Sequence, residues 1–233
     1  MIGFYNYTVW LTYLSLISAG TGIMVTLHDH AHPFIGVFFL LVCGLCDAFD
    51  GKVARSKKNR TDIEKKYGIQ IDSLADMVSF GVLPACIGSA MLRVIPQNIK
   101  EWGTTGAAKL LKSPNIWICY AIVILYILAA LIRLAYFNVT EEERQKTEDG
   151  VRKYYEGLPV TASALIFPTV MLFQYLLPDD ITSVYFVVML ITGLLFLSKI
   201  PVRKPSTKGI LTFVGIGVAE FALLIVLWVY FGS

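Results

Sequence analysis

An all-α, polytopic bundle of transmembrane helices is the fold class this sequence predicts, and three observations predict it. The 233 residues are 56% hydrophobic, only 16% are charged, and the mean hydropathy is +0.64. A soluble domain carries about 25% charged residues. The charges are also clumped: Asp, Glu, Lys and Arg are absent from 1–28, 33–46, 77–92, 113–132, 157–178 and 181–198. A water-soluble fold of this size has no need of such gaps. A bilayer demands them, because a charge at its centre costs at least ~2.5 kcal/mol. Disorder, a collagen-like fibre and a charged coiled coil are excluded, and a net charge of +3 is too small to suggest a nucleic-acid partner.

A helix needs about 20 mostly apolar residues to cross ~30 Å of hydrocarbon. Seven stretches meet this, near 9–27, 33–54, 69–93, 115–138, 159–177, 181–199 and 209–231. They leave little for a separate soluble domain, so 1–233 reads as one membrane-embedded domain. Residues 1–8 hold no Lys or Arg to form the basic start of a cleavable signal, and the first stretch is expected to remain as a membrane helix. Two connections are long. The 139–158 segment is acidic and basic throughout and suits a solvated helix or loop, and 94–114 suits a short interfacial helix. The four cysteines (Cys43, Cys46, Cys86, Cys119) sit in or beside apolar stretches and read as small packing residues. Ser18 and Gly22, one turn apart, suit close helix packing, and the His28–His32 run reads as a polar turn.

Basic residues give the orientation. Fifteen of the twenty Lys and Arg fall in connections on one side: Lys52 to Lys66, Arg144 to Lys153 and Lys199 to Lys208. Arg93, Lys100, Lys109 and Lys112 fall on the other. The positive-inside rule places the richer side in the cytoplasm of a cell membrane.

The exceptions to the scarcity of charge are the informative residues. Asp47, Asp50, Gly51 and Ala54 end the second span at spacings i, i+3, i+4, i+7 and share one helix face. Gly68, Asp72 and Asp76 open the third at i, i+4, i+8 and share another. The two spans form a hairpin, so facing surfaces bring four carboxylates together just inside the membrane boundary. Four such anions need protons or a cation to coexist. All-oxygen donors suit hard divalent ions such as Mg²⁺, Mn²⁺ or Ca²⁺, and four carboxylates on two helices can hold two of them bridged by a phosphate. The glycines leave room for a bulky ligand against the backbone, and Arg55 offers a fork suited to phosphate.

At these residues the sequence resembles the CDP-alcohol phosphatidyltransferase family, whose signature is D-x-x-D-G-x-x-A-R, a spacer, then G-x-x-x-D-x-x-x-D. Asp47, Asp50, Gly51, Ala54, Arg55, Gly68, Asp72 and Asp76 match every fixed position. The spacer departs: this chain has twelve residues (56–67) where the family commonly has eight, and the extra polar turn is expected to bulge into the cytoplasm. The stretch from Asp72 to Ala85, with Arg133-Leu-Ala-Tyr-Phe-Asn138 and Tyr155-Glu-Gly-Leu-Pro159, looks like the branch that uses serine as acceptor. Tyr136 stands where that branch commonly has a second Arg.

The resemblance implies a six-helix core, a homodimer and a metal-dependent reaction. CDP-diacylglycerol lies with its chains in the bilayer and its diphosphate on two Mg²⁺ or Mn²⁺ ions held by Asp47, Asp50 and Asp72. Asp76 takes the serine hydroxyl proton and contributes to the metal site. Gly51, Ala54, Arg55 and Gly68 bind the CDP group, and the products are phosphatidylserine and CMP. Arg133, inside the fourth span, is expected either to contact a substrate phosphate or the serine carboxylate, or to snorkel to the interface. Glycerol phosphate or an inositol phosphate is the alternative acceptor. An ion- or proton-coupled transporter is the rival of another class, disfavoured because the acids crowd at one membrane face rather than the midplane.

Overall fold

The computed structural model describes residues 3–28, 32–98, 115–147, 154–176 and 180–231. The rest of the expected 94–114 helix, the middle of the His28–His32 turn, and Arg152 and Lys153 lie outside them. The helices are α1 (Trp10–Leu27), α2 (Phe34–Ser56), α3 (Asp62–Asp76), α4 (Leu83–Asn98), α5 (Ile116–Thr147), α6 (Ser163–Leu176), α7 (Thr182–Phe196) and α8 (Thr207–Phe231). A π-helical turn, Met77–Val82, joins α3 to α4 as one continuous rod. Two short strands, β1 (Tyr154–Glu156) and β2 (Pro201–Arg203), pair antiparallel with Tyr155 opposite Val202.

Five rods are long and apolar enough to cross a membrane: Tyr7–Leu27, Phe34–Ser56, Asp62–Arg93, Ile116–Arg144 and Lys208–Leu227. Two shorter apolar helices, Val160–Phe173 and Thr182–Phe196, occupy the other two expected places. The protein is therefore an all-α, multi-pass membrane bundle. Its surface carries the same message, since Trp10, Ile17, Met24, Trp117, Ile124, Leu194 and Val229 point outward. An outside as apolar as the core suits lipid rather than water.

Two rods are longer than the hydropathy alone suggests, and both extensions have local causes. The third begins at Asp62 rather than near 69, because Thr61 and Glu64 form a capping box and Lys57 pairs with Glu64 at 2.8 Å. Half of the spacer is thus helix, and only its first residues bulge. The fourth runs to Thr147, past the expected end near 138. There Arg144 pairs with Glu141 at 2.7 Å and Lys146 with Glu143 at 2.9 Å, one turn apart on the helix. The Glu143 contact pushes the Lys146 ammonium pKa up.

The core sits where α2, the π turn, α4, α5, α6 and α7 meet, around Phe80, Leu83, Tyr126, Phe167, Tyr185 and Met189. Cys43, Cys46 and Cys119 are buried there as free thiols. Pro84 has no N–H for the Phe80 carbonyl four residues back. Tyr126 supplies the donor at 2.6 Å, and its hydroxyl also meets Ser163 at 2.9 Å. Helices α1 and α2 approach closely: a Cβ at Gly22 would lie 2.7 Å from Phe39 Cβ, and Ser18 Oγ donates to the Phe39 carbonyl at 3.1 Å.

Cross-contacts sort the ends of the rods. Asn6 donates to Glu64 at 3.1 Å, and Asn138 donates to Ser73 at 2.8 Å. The start of α1, the 56–62 connection and the C-terminal half of α5 therefore share one end of the bundle. Arg93 donates to the carbonyls of Thr26 and Leu27 at 2.6 and 2.9 Å, marking the other end.

Candidate active site

The site forms where α2 ends and α3 begins. Asp47 and Asp50 come from α2 and Asp72 from α3, and one oxygen of each lies within 4.8 Å of the others. Asp76 follows Asp72 by one turn and lines the same cavity, but it is not one of the three that share that spacing. The π turn starts at the next residue, Met77. By widening the helix there, it alters the phase of α4 relative to α3, so that Ser79, Phe80 and Gly81 turn into the core.

The other motif residues are arranged around this cluster in two ways. Arg55 folds back along α2, with Nη1 3.3 Å from where a Gly51 Cβ would stand. Both line the cavity with Lys52. The space beside Gly68 is filled differently. Arg60, from the long spacer, donates to the Ala54 carbonyl at 3.3 Å and to the Glu64 carbonyl at 3.2 Å. Its Nη2 would be 2.6 Å from a Cβ at Gly68. Sequence reasoning treated the spacer as a solvated bulge and missed this arginine; the only signal was the extra turn itself.

Arg133 is turned inward in the bundle. It is 7% exposed, its Nε donates to the Leu158 carbonyl at 3.3 Å, and its guanidinium stands 5.2 Å from the centre of the Phe137 ring. It lines the same cavity as the carboxylates. A clip made of β1 and β2 holds this wall. The Gly157 N–H donates to Ile200 at 2.9 Å and the Leu158 N–H to Leu195 at 3.0 Å, tying the α5–α6 connection to the α7–α8 connection. Gly157 has φ +75°, and a Cβ there would lie 2.6 Å from the Ser198 carbonyl oxygen. This turn is where only glycine fits. Tyr155, Arg203 and Lys204 of the clip also border the cavity. The sequence marked Tyr155 and Gly157 as part of a resemblance, Tyr155 also as an interfacial aromatic, and Lys204 as one basic residue among many.

The cavity measures about 1260 Å³. At one end it carries the acids and the five cations Lys52, Arg55, Arg133, Arg203 and Lys204. From there it continues as an apolar groove between α2, α6 and α8, past Leu41, Leu45, Leu165, Phe213, Val218 and Phe221. A polar head and an apolar tail in one cavity suit an amphiphile with a charged head group. The chain matches the sequence profile of the CDP-alcohol phosphatidyltransferases from residue 5 to residue 229.

The protein belongs to the CDP-alcohol phosphatidyltransferase family. Among curated relatives, it is 36% identical over 144 residues to the CDP-diacylglycerol–serine O-phosphatidyltransferase of Saccharomyces cerevisiae, covering 60% of this chain and 43% of the relative. It is 27% identical over 197 residues to the enzyme of that name in Mycobacterium tuberculosis (83% and 59% covered). It is 26% identical over 193 residues to the one in Helicobacter pylori (81% and 68% covered). The chain thus spans about half the length of the first of these relatives. The carboxylates of this family member have the donor chemistry of a hard-cation site. Three like charges within 4.8 Å, half-buried, suit a bound divalent ion, and all the donors are oxygen.

Proposed function

We propose that this protein transfers the phosphatidyl group of CDP-diacylglycerol to the hydroxyl of L-serine, forming phosphatidylserine and CMP. The observation that carries the reading is the trio Asp47, Asp50 and Asp72, drawn together from two helices at the head of a cavity that turns apolar along α8. The names of the relatives support serine as the acceptor.

In this reading the acyl chains lie along the groove between α2, α6 and α8, and the diphosphate lies at the carboxylate end. Asp47, Asp50 and Asp72, with Asp76 beside them, hold Mg²⁺ or Mn²⁺, as two ions. Bound there, the metal supplies positive charge to the diphosphate and its leaving group. By the match to the signature, Gly51, Ala54, Arg55 and Gly68 serve the CDP group, with Arg55 on phosphate; Gly51 and Arg55 line the cavity, whereas Ala54 and Gly68 lie behind it, Gly68 against Arg60. Arg133 binds a substrate anion. Asp76 accepts the proton of the serine hydroxyl. The serine oxygen then bonds to the β-phosphorus, which bears diacylglycerol; the bond from that phosphorus to the bridging oxygen breaks, and CMP departs with the electron pair. General-base help of this kind is worth about 10²–10⁴-fold.

We further place the carboxylate end at the cytoplasmic face of the cell membrane, on the side rich in Lys and Arg, and read 1–233 as one domain that works as a homodimer. One experiment tests the core of this. Purified protein is incubated with CDP-diacylglycerol, Mn²⁺ or Mg²⁺, and either serine, glycerol phosphate or inositol phosphate, and CMP is measured. Release with serine alone is expected. No release with any acceptor refutes the transferase reading, and release only with a phosphorylated acceptor refutes serine.

A further inference from the structure

The five cations of the cavity fall on two walls. Lys52 and Arg55 belong to α2, beside the carboxylates. Arg133, Arg203 and Lys204 belong to α5 and the clip, which contribute no acid to the cluster. On this second wall the side chains stack as a column. Lys204 Nζ stands 5.7 Å from the centre of the Tyr155 ring. That ring meets Phe137 edge-on at 5.7 Å, and Phe137 in turn carries the Arg133 guanidinium at 5.2 Å. All four residues line the cavity. The two cations stand over the ring faces, and a neutral ring brings no counter-ion to them. Of the ion pairs among the described residues, none includes Lys204.

The backbone fixes where the Lys204 side chain starts; the residue is exposed at the rim of the cavity, and its stem carries the ammonium to the Tyr155 ring. Lys204 follows the last residue of β2, whose pairing with β1 sets its distance from Tyr155. Pro205 follows, and a residue before proline is held extended. A cation set over a ring, on a wall that contributes no acid to the cluster, is suited to an anion other than the diphosphate.

We propose that Lys204 is an acceptor-specificity residue, whose ammonium receives the α-carboxylate of the incoming amino acid while its hydroxyl faces the carboxylate cluster. This rests on serine being the acceptor, as proposed above. It adds a residue outside the signature, and it explains why a connection between helices is folded into a rigid clip. An alcohol without a carboxylate lacks this contact and docks poorly.

The test pairs a change in the protein with a change in the substrate. L-Serine methyl ester keeps the hydroxyl and the ammonium but has no carboxylate charge. CMP release by the full chain in lipid–detergent micelles is measured with serine and with the ester, for wild type, Lys204→Met and Lys204→Arg. Loss of a charge-assisted hydrogen bond predicts that Lys204→Met lowers kcat/KM for serine about 10–100-fold. Its kcat/KM for the ester and its KM for CDP-diacylglycerol stay as in wild type, and Lys204→Arg recovers most of the serine activity. An equal loss with serine and ester overturns the proposal in favour of simple support of the clip. A raised KM for CDP-diacylglycerol with serine unaffected also overturns it, by assigning Lys204 to the lipid phosphate. Wild-type protein that releases no CMP with serine refutes the serine reading itself, a result separable from either.

Discussion

Replacing Gly157 by alanine tests whether the clip shapes the site. At φ +75° a side chain costs about 1–2 kcal/mol in backbone strain. The added Cβ would stand 2.6, 3.0 and 3.1 Å from the carbonyl oxygens of Ser198, Phe196 and Leu195. All three are backbone atoms, so the collision is relieved only by moving the two connections apart. That movement breaks the bonds from Gly157 N–H to Ile200 and from Leu158 N–H to Leu195, each worth about 0.5–1.5 kcal/mol. Strain and lost bonds together weigh about 2–5 kcal/mol against the closed clip. At 1.4 kcal/mol per factor of ten, the lower bound already shifts the clip equilibrium about 30-fold. The clip carries Tyr155 and Lys204, and its continuation, Leu158, fixes Arg133. A clip closed by a margin of its own absorbs part of this shift, so Gly157→Ala is expected to lower kcat/KM for serine by up to ~30-fold at this bound and to lower the melting temperature. Gly215→Ala is the control: nothing lies within 4 Å of its Cβ position, and alanine favours the middle of a helix. It is expected to match wild type in turnover and to melt no earlier. Gly157→Ala protein with wild-type turnover and melting would refute the claim that the clip holds the cavity wall.

Three other substitutions separate chemistry from packing. Asp72→Asn removes one of the three clustered carboxylates and is expected to lower turnover by on the order of 10²-fold or more. Mn²⁺ is expected to raise the melting temperature of the wild type but not of Asp72→Asn, and a metal-dependent rise that persists in the variant would contradict Asp72 as a ligand. Asp76→Asn is expected to fold and bind metal yet lose about 10²–10⁴-fold in turnover; near-normal turnover in a folded protein removes Asp76 as the base. Tyr126→Phe loses the donor to the Phe80 carbonyl and the contact with Ser163. Leaving these buried groups unpaired costs about 1–3 kcal/mol, so a lower melting temperature with little change in KM is expected, and an unchanged melt would show that other donors reach Phe80.

What could be read from the sequence, and what could not, divides along one physical line. Inside a bilayer every backbone group must be paired within its own helix, so a span is written as a local run of apolar residues. The five long rods, the two shorter apolar helices at the other expected places, and the helical spacing of Asp47, Asp50, Asp72 and Asp76 were legible for that reason. The three carboxylates that meet are one turn apart on one helix or face each other across a hairpin. The clip obeys no such local rule. Its strands are three residues long, Tyr154 pairs with Arg203 across two intervening helices, and neither strand has a run long enough to show alternation. Arg60 was invisible because its role depends on the turn geometry of the 56–61 connection, not on periodicity. Irregular backbone of this kind is tolerated only where water or protein can satisfy it, which is the end of the bundle where the carboxylates lie. In the proposed reading the wall that meets the acceptor is built from the connections together with Arg133 of α5, and the connections are the part of the chain where local pattern says least. The carboxylates can sit on the helices because chemistry common to the family needs only a fixed spacing.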